Sequence, residues 1–196
     1  RRAGHQAADG AEEQEATLRY FALFFTEMIR IAEDYGGTIE KNTGDGLMAY
    51  FEDDCASSRD SGTKRAVACA LTMMEATERL INPAIRNGGG DAITFRIGVD
   101  HGYVTVARLG AARRFGSLVA IGATANVACK MLAHAQPGEI LLGQCAYTQL
   151  PYRWKVDWCK LAKLDTGWVF RGTGRPYGFY RYTGRWAAIK PLSAVI

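Results

Sequence analysis

Asp45 stands between two glycines, in Gly44-Asp45-Gly46, with short runs on either side at Thr38 to Thr43 and Leu47 to Glu52. An Asp-Gly between two such runs signals a hairpin, so the Asp45 carboxylate projects past the strand ends; the plain alternative is an ordinary turn residue. Period-two alternation puts Lys41 on the same strand face as Thr43 and Asp45. Asn126 and Lys130 are four apart, an amide and an ammonium on one helix face, with Val127 and Met131 turned inward. Arg171 and Arg175 flank a Gly-Thr-Gly turn. One carboxylate, one amide and four cations suit an anionic small molecule, and the same residues are solvated surface positions if no ligand is involved.

The elements that must position these groups belong to a chain of 196 residues and 21.5 kDa, long enough to bury one core. Apolar residues make up 48% and charged residues 22%, which excludes a disordered chain. The densest apolar stretch, Tyr20 to Ile31, is interrupted by Thr26, Glu27 and Arg30, so no membrane span is expected. The Arg-Arg-Ala-Gly-His-Gln start does not read as a signal peptide. A net charge of +4 with scattered basic residues gives no nucleic-acid stripe. Five cysteines without a C-x-x-C pair and three distant histidines argue for reduced thiols and a cytoplasmic protein without structural zinc. The chain opens at Arg1 without a methionine and reads as the interior of a longer protein.

Helical periodicity covers Ala11 to Tyr35, with Leu18, Phe21, Phe25, Met28, Ile29 and Ala32 on the apolar face, and Gly36-Gly37 ends it. A second helix spans Gly62 to Ile81, with Val67, Ala70, Leu71, Met74 and Leu80 on one side, and Gly88-Gly89-Gly90 reads as a flexible loop. Ile93 to Asp100 alternates as a strand and Tyr103 to Arg108 returns beside it; Ser117 to Ile121 is a further strand. A helix ends near Ala135, Glu139 to Leu142 is a strand, and the aromatic tail from Tyr152 reads as short antiparallel strands. The order indicates a single α+β domain over residues 1–196, with a core to about residue 150 and the tail beyond it. Its sheet is expected to be a ferredoxin-like antiparallel one with helices on one face. The leading helix calls for a strand before it; residues 1–10 have almost no β-forming content, so a strand upstream of Arg1 is expected.

Three segments carry a family resemblance: GGTIEKNTGDGLMAYFE (Gly36 to Glu52), FRIGVDHGYVTVARLG (Phe95 to Gly110) and GATANVACKMLAHAQPGEILLG (Gly122 to Gly143). In that order they resemble class III adenylate/guanylate cyclase catalytic domains, over about residues 18–145. The resemblance implies attack of a nucleoside triphosphate's own 3′ hydroxyl on its α-phosphorus, giving a 3′,5′-cyclic nucleotide and pyrophosphate. It also implies two divalent cations, Mg²⁺ or Mn²⁺, and a head-to-tail homodimer in which Asp45 of one subunit faces Asn126 and Lys130 of the other.

By the same resemblance Asp45 is one of two metal-holding aspartates, and the other belongs on the strand before the first helix, where Asp9 is a poor substitute. Asn126 matches the asparagine that orients the ribose. Lys130 falls where the family usually has a transition-state arginine, so charge is kept and the bidentate fork is lost. Lys41 occupies the adenine-reading lysine position, while its partner, an aspartate in adenylate cyclases, falls at Val119, which cannot accept a hydrogen bond. Arg171 or Arg175 matches the basic residue that meets the phosphates near the domain's end. The missing adenine aspartate resembles the anti-phage pyrimidine cyclases of Pycsar systems, which points to UTP and cyclic UMP. An adenylate cyclase making cAMP and a catalytically dead nucleotide- or partner-binding module are the alternatives.

Overall fold

The computed structural model describes residues 2–42, 46–53, 61–112 and 115–186, with side chains described over 14–40, 46–53, 61–107 and 121–186. Helix α1 runs from Arg2 to Asp34, nine residues further toward the N-terminus than the apolar periodicity alone indicates. Its buried stripe is Phe24, Met28, Ile31 and Ala32, while Leu18 and Phe21 are exposed. The correction has a packing cause: among the described side chains the core contacts of α1 begin at Tyr20, past Leu18, and Phe21 lies beside that stripe, stacked on Phe25. Gly36, at φ +71°, ends the helix in the left-handed conformation that residues with a Cβ avoid, and its N–H donates to the Glu33 carbonyl at 2.8 Å.

Strands β1 (Thr38–Asn42) and β2 (Leu47–Tyr50) form the expected antiparallel hairpin, with Thr38 opposite Tyr50 and Asn42 opposite Leu47. The register shifts between Ile39 and Lys41, a bulge at Glu40 that lies before the Lys41, Thr43 and Asp45 alternation. Thr43 and Asp45 lie outside the described residues.

Helix α2 (Gly62–Ala76) starts at Ser61, whose hydroxyl accepts from the Lys64 N–H at 3.2 Å, and at Asp53, whose carboxylate accepts from the Gly62 N–H at 2.6 Å. A π-helical turn at Thr77–Ile81 joins it to α3 (Asn82–Asn87). The wider turn shifts the helical phase, so Ile81 is buried and Leu80, expected inside, is 70% exposed. Gly88-Gly89-Gly90 is a packed turn rather than a free loop. The Tyr20 hydroxyl donates to the Gly88 carbonyl at 2.8 Å, and the Tyr20 ring fills the space where side chains at Gly88 and Gly90 would sit.

Only Ile97–Val99 of the expected Ile93 to Asp100 strand joins a sheet, as β3. The Asn82 side chain ties down the segment before it, donating to the Ile93 carbonyl and accepting from the Ile93 N–H. Strand β4 (Thr105–Ala112) pairs with β5 (Phe115–Ile121) and not with β3, because the chain turns away at Gly102. After α4 (Ala123–Met131) come β6 (Ile140–Gly143), α5 (Gln144–Gln149) and α6 (Tyr152–Trp158). Strands β7 (Cys159–Ala162) and β8 (Phe179–Tyr182) follow. The start of the tail is thus helical: Tyr152 and Val156 face solvent while Trp154 and Trp158 pack inward, a period of four that strand alternation cannot produce.

The larger sheet has the order β3-β6-β8-β7, parallel between β3 and β6 and antiparallel elsewhere. On one face Val67 and Leu71 of α2 and Ala146 of α5 meet Val99, Ile140 and Leu142. On the other, Met131 of α4 meets Leu141 and Phe179. The α+β architecture holds, with two amendments to the ferredoxin-like expectation: the sheet is mixed, and α4 covers the face opposite α2. Gly98 makes the second packing possible, since a Cβ there would sit 2.5 Å from the Ala128 carbonyl oxygen.

Candidate functional site

Asn126 and Lys130 lie on α4 with both side chains exposed, while Met131 is buried and Val127 packs beside it. The inward and outward faces are therefore those the spacing implies. The first turn of α4 is held against the end of β3. Thr124 donates from its hydroxyl to the Tyr103 carbonyl at 3.4 Å, and Gly102 leaves room for that hydroxyl.

The same end of β3 holds the basic turn of the tail. Val169 bridges Pro176, the Phe170 N–H donates to the Arg175 carbonyl at 2.8 Å, and Arg171 and Arg175 project from the turn with exposed side chains. Tyr177, two residues past Arg175, donates from its hydroxyl to Oδ1 of Asp100 at 2.6 Å and accepts from the Cys145 N–H at 3.2 Å. Burial holds the Asp100 carboxyl above the usual carboxylate range, against hydrogen bonds from Tyr177 and from the His101 and Ala146 backbones that favour its charged form. Burial and the Asp100 carboxylate push the Tyr177 hydroxyl up as well, so the phenol is the donor of the pair. Beside them His101 Nδ1 lies 3.0 Å from the Thr63 hydroxyl and 3.8 Å from Asp53 Oδ2.

The structure thus brings the first turn of α4, just before Asn126, and the Arg171 to Arg175 turn to the carboxyl end of β3, while Lys130 lies in the last turn of α4. Strands β1 and β5, which carry Lys41 and Val119, also lie against each other. In register Lys41 faces Met48 and Val119 faces Ala107. Asp45 lies outside the described residues. Asp100 and Tyr177 are 77 positions apart, so sequence reasoning missed their bond: neither sits in a motif and no spacing connects them.

A cavity of about 320 Å³ opens beside this region, between edges of β2 and β3 that pair with no other strand among the described residues. Among the described residues no group of three or more histidine, cysteine or acidic side chains is placed to hold a metal ion. Among them, too, no helix is long and apolar enough to cross a membrane.

Residues 4–165 match the family model of the adenylate and guanylate cyclase catalytic domain. The chain belongs to this family, the class III nucleotidyl cyclases, which are lyases. It is 29% identical over 135 residues to a uridylate cyclase of Rhodovulum sp. (strain MB263), a match covering 65% of this chain and 52% of that protein. The chain thus spans about half the length of that curated relative. Among solved structures it resembles the adenylyl cyclase CyaB from P. aeruginosa, with 25% identity, a TM-score of 0.70, and coverage of 87% of this chain and 83% of that one. It shares the fold of the guanylyl cyclase Cya2 at 21% identity, with a TM-score of 0.71 and coverage of 90% and 85%. It also shares the fold of the guanylate cyclase domain of RhGC from Catenaria anguillulae in complex with GTP, at 21% identity, a TM-score of 0.68 and coverage of 87% and 85%.

Proposed function

We propose that the chain is the catalytic domain of a cytoplasmic nucleotide cyclase that converts UTP to cyclic UMP and pyrophosphate at a homodimer interface, as an antiviral signal. The observation that carries the cyclase reading is the exposed Asn126 and Lys130 pair on α4, a helix whose first turn sits at the same end of β3 as the Arg171 to Arg175 turn. The pyrimidine reading rests on Val119, which offers no acceptor to an adenine amine, and on the likeness to a uridylate cyclase.

In this reading the substrate's 3′ oxygen forms a bond to the α-phosphorus, the bond from that phosphorus to the α–β bridging oxygen breaks, and pyrophosphate leaves with that oxygen. The 3′ hydroxyl proton passes to solvent or to a phosphate oxygen. Asn126 orients the ribose by donating and accepting at its hydroxyls. Lys130 meets the charge that develops on the α-phosphoryl oxygens, and Arg171 or Arg175 holds the β- and γ-phosphates. Two divalent cations, Mg²⁺ or Mn²⁺, would supply charge neutralisation and a more acidic 3′ hydroxyl; Asp45 is this chain's contribution to them, with a second carboxylate from outside the described residues.

The test is incubation of the full-length protein with ATP, GTP, CTP and UTP separately, with Mn²⁺, and identification of products by mass. Cyclic UMP as the dominant product is expected. Lys41, retained where adenylate cyclases read adenine, favours cAMP as the second reading, and a dominant cAMP peak would establish it. No cyclic product from any of the four would leave a module that binds a nucleotide or partner without turnover.

A further inference from the structure

The residues that follow β3, Asp100 to Tyr103, hold two separate elements. The Tyr103 carbonyl accepts from the Thr124 hydroxyl and so holds the first turn of α4, just before Asn126. The Asp100 carboxylate accepts from the Tyr177 hydroxyl at 2.6 Å and so holds the arm that leaves the Arg171 to Arg175 turn. This short segment is itself fixed at both ends of Asp100. Val99 pairs with Leu142 inside the larger sheet, and His101 Nδ1 lies 3.0 Å from the Thr63 hydroxyl at the start of α2.

The turn beyond Tyr177 has little packing of its own. Arg171 to Pro176 are all exposed, a Cβ at Gly172 or Gly174 would meet nothing within 4 Å, and Gly174 takes a φ of +65°. Phe170 and Phe179 lie against the Tyr177 ring, with centroids 4.9 and 5.5 Å away. Those contacts are apolar and set no unique position, whereas the hydroxyl is held from two sides, by Asp100 and by the Cys145 N–H at 3.2 Å. A cation on a loose turn loses part of its attraction to the cost of ordering the turn, and a cation held in place beforehand does not.

On the reading that Arg171 or Arg175 meets the β- and γ-phosphates, we infer that Asp100 and Tyr177 are positioning residues for that contact. Their bond sets the basic turn at a fixed separation from the first turn of α4, so the chain presents ribose and phosphate contacts already spaced for one nucleotide.

Tyr177→Phe keeps the ring and its neighbours and removes the hydroxyl alone. In the full-length protein with Mn²⁺ it is expected to raise KM for the nucleoside triphosphate about tenfold, with kcat within about twofold of wild type. The two products separate positioning from general loosening. Pyrophosphate should bind about tenfold more weakly, by product inhibition and by calorimetry, while the inhibition constant of the 3′,5′-cyclic nucleotide stays within about twofold. Equal weakening of both products would make the pair a general support of the domain and overturn the proposal. Asp100→Ala removes the acceptor in place of the donor and should weaken pyrophosphate by a like factor, with the double variant no weaker than either single one. Additive losses would mean that the two residues act separately and would overturn it too. An Arg171→Ala/Arg175→Ala variant run alongside tells two failures apart. If it weakens pyrophosphate and Tyr177→Phe does not, the positioning role is lost and the phosphate contact stands. If it leaves pyrophosphate binding unchanged, the phosphate contact is lost and the positioning role with it. Calorimetry with pyrophosphate gives the same comparison in a protein that turns nothing over.

Discussion

At the residue scale, two side chains carry the sharpest expectations. Tyr182 is 3% exposed, and its hydroxyl is buried without a hydrogen-bond partner among the described residues. An unpaired buried hydroxyl costs about 1 kcal/mol or more. Tyr182→Phe should therefore raise stability by about 1 kcal/mol, a Tm increase of about 2–4 °C by calorimetry; a drop of similar size would mean that the hydroxyl does bond in solution. Burial also pushes this phenol's pKa up, in keeping with a site that does not solvate a charge. Lys130 is the second. If it meets the transition-state charge, Lys130→Ala lowers kcat by roughly 10²-fold, while Lys130→Arg, which restores the planar fork, keeps or raises it. Equal loss in both variants, read by kcat with circular dichroism unchanged, would remove Lys130 from the phosphoryl site.

At the scale of elements, Gly98 is a point where β3 lets α4 approach closely. A methyl there meets the Ala128 carbonyl oxygen and the Met131 side chain, both in packed structure that cannot yield cheaply. Gly98→Ala should cost about 1–3 kcal/mol in urea denaturation. Gly172→Ala, with nothing within 4 Å, should stay within about 0.5 kcal/mol. Elements also mark how far the sequence could be read. The Asp-Gly hairpin, the α2 start and the α4 face were legible because each rests on local pattern: a turn pair, an apolar period, a four-residue spacing. What local chemistry does not encode was missed. The π turn moved Leu80 outward, the Asn82 clamp kept Ile93 to Arg96 out of the sheet, and β4 chose β5 over β3 through a register that depends on residues 16 positions apart, Thr105 and Ile121. The candidate site divides in the same way, since Asn126 and Lys130 were readable from spacing and the Asp100–Tyr177 tie that anchors the basic turn was not.

At the scale of the whole molecule, the proposed site is shared between two copies, with Asp45 from one and Asn126 from the other. Neither Asp45→Asn nor Asn126→Ala should turn over substrate as a homodimer. Mixed one to one and allowed to exchange, they should recover about a quarter of the wild-type rate, because half of the dimers are mixed and each mixed dimer has one of its two sites intact. No recovery, with exchange verified by sedimentation of tagged subunits, would place both residues in one subunit's site.

The four tryptophans, Trp154, Trp158, Trp168 and Trp186, all lie in the last quarter of the sequence. Trp154 and Trp158 sit 5.8 Å apart against Tyr182, and Trp168 packs edge-on to Phe179. Trp186 donates from its indole to the Thr72 hydroxyl of α2 at 2.9 Å. Intrinsic fluorescence excited at the red edge of the indole band therefore looks at β8, at what packs on it and at one point of α2. An optical melt of this protein followed by emission watches this part of the molecule, and one followed by far-ultraviolet ellipticity watches the whole backbone. Coincidence of the two curves would be direct evidence that the part and the whole unfold as a single cooperative unit.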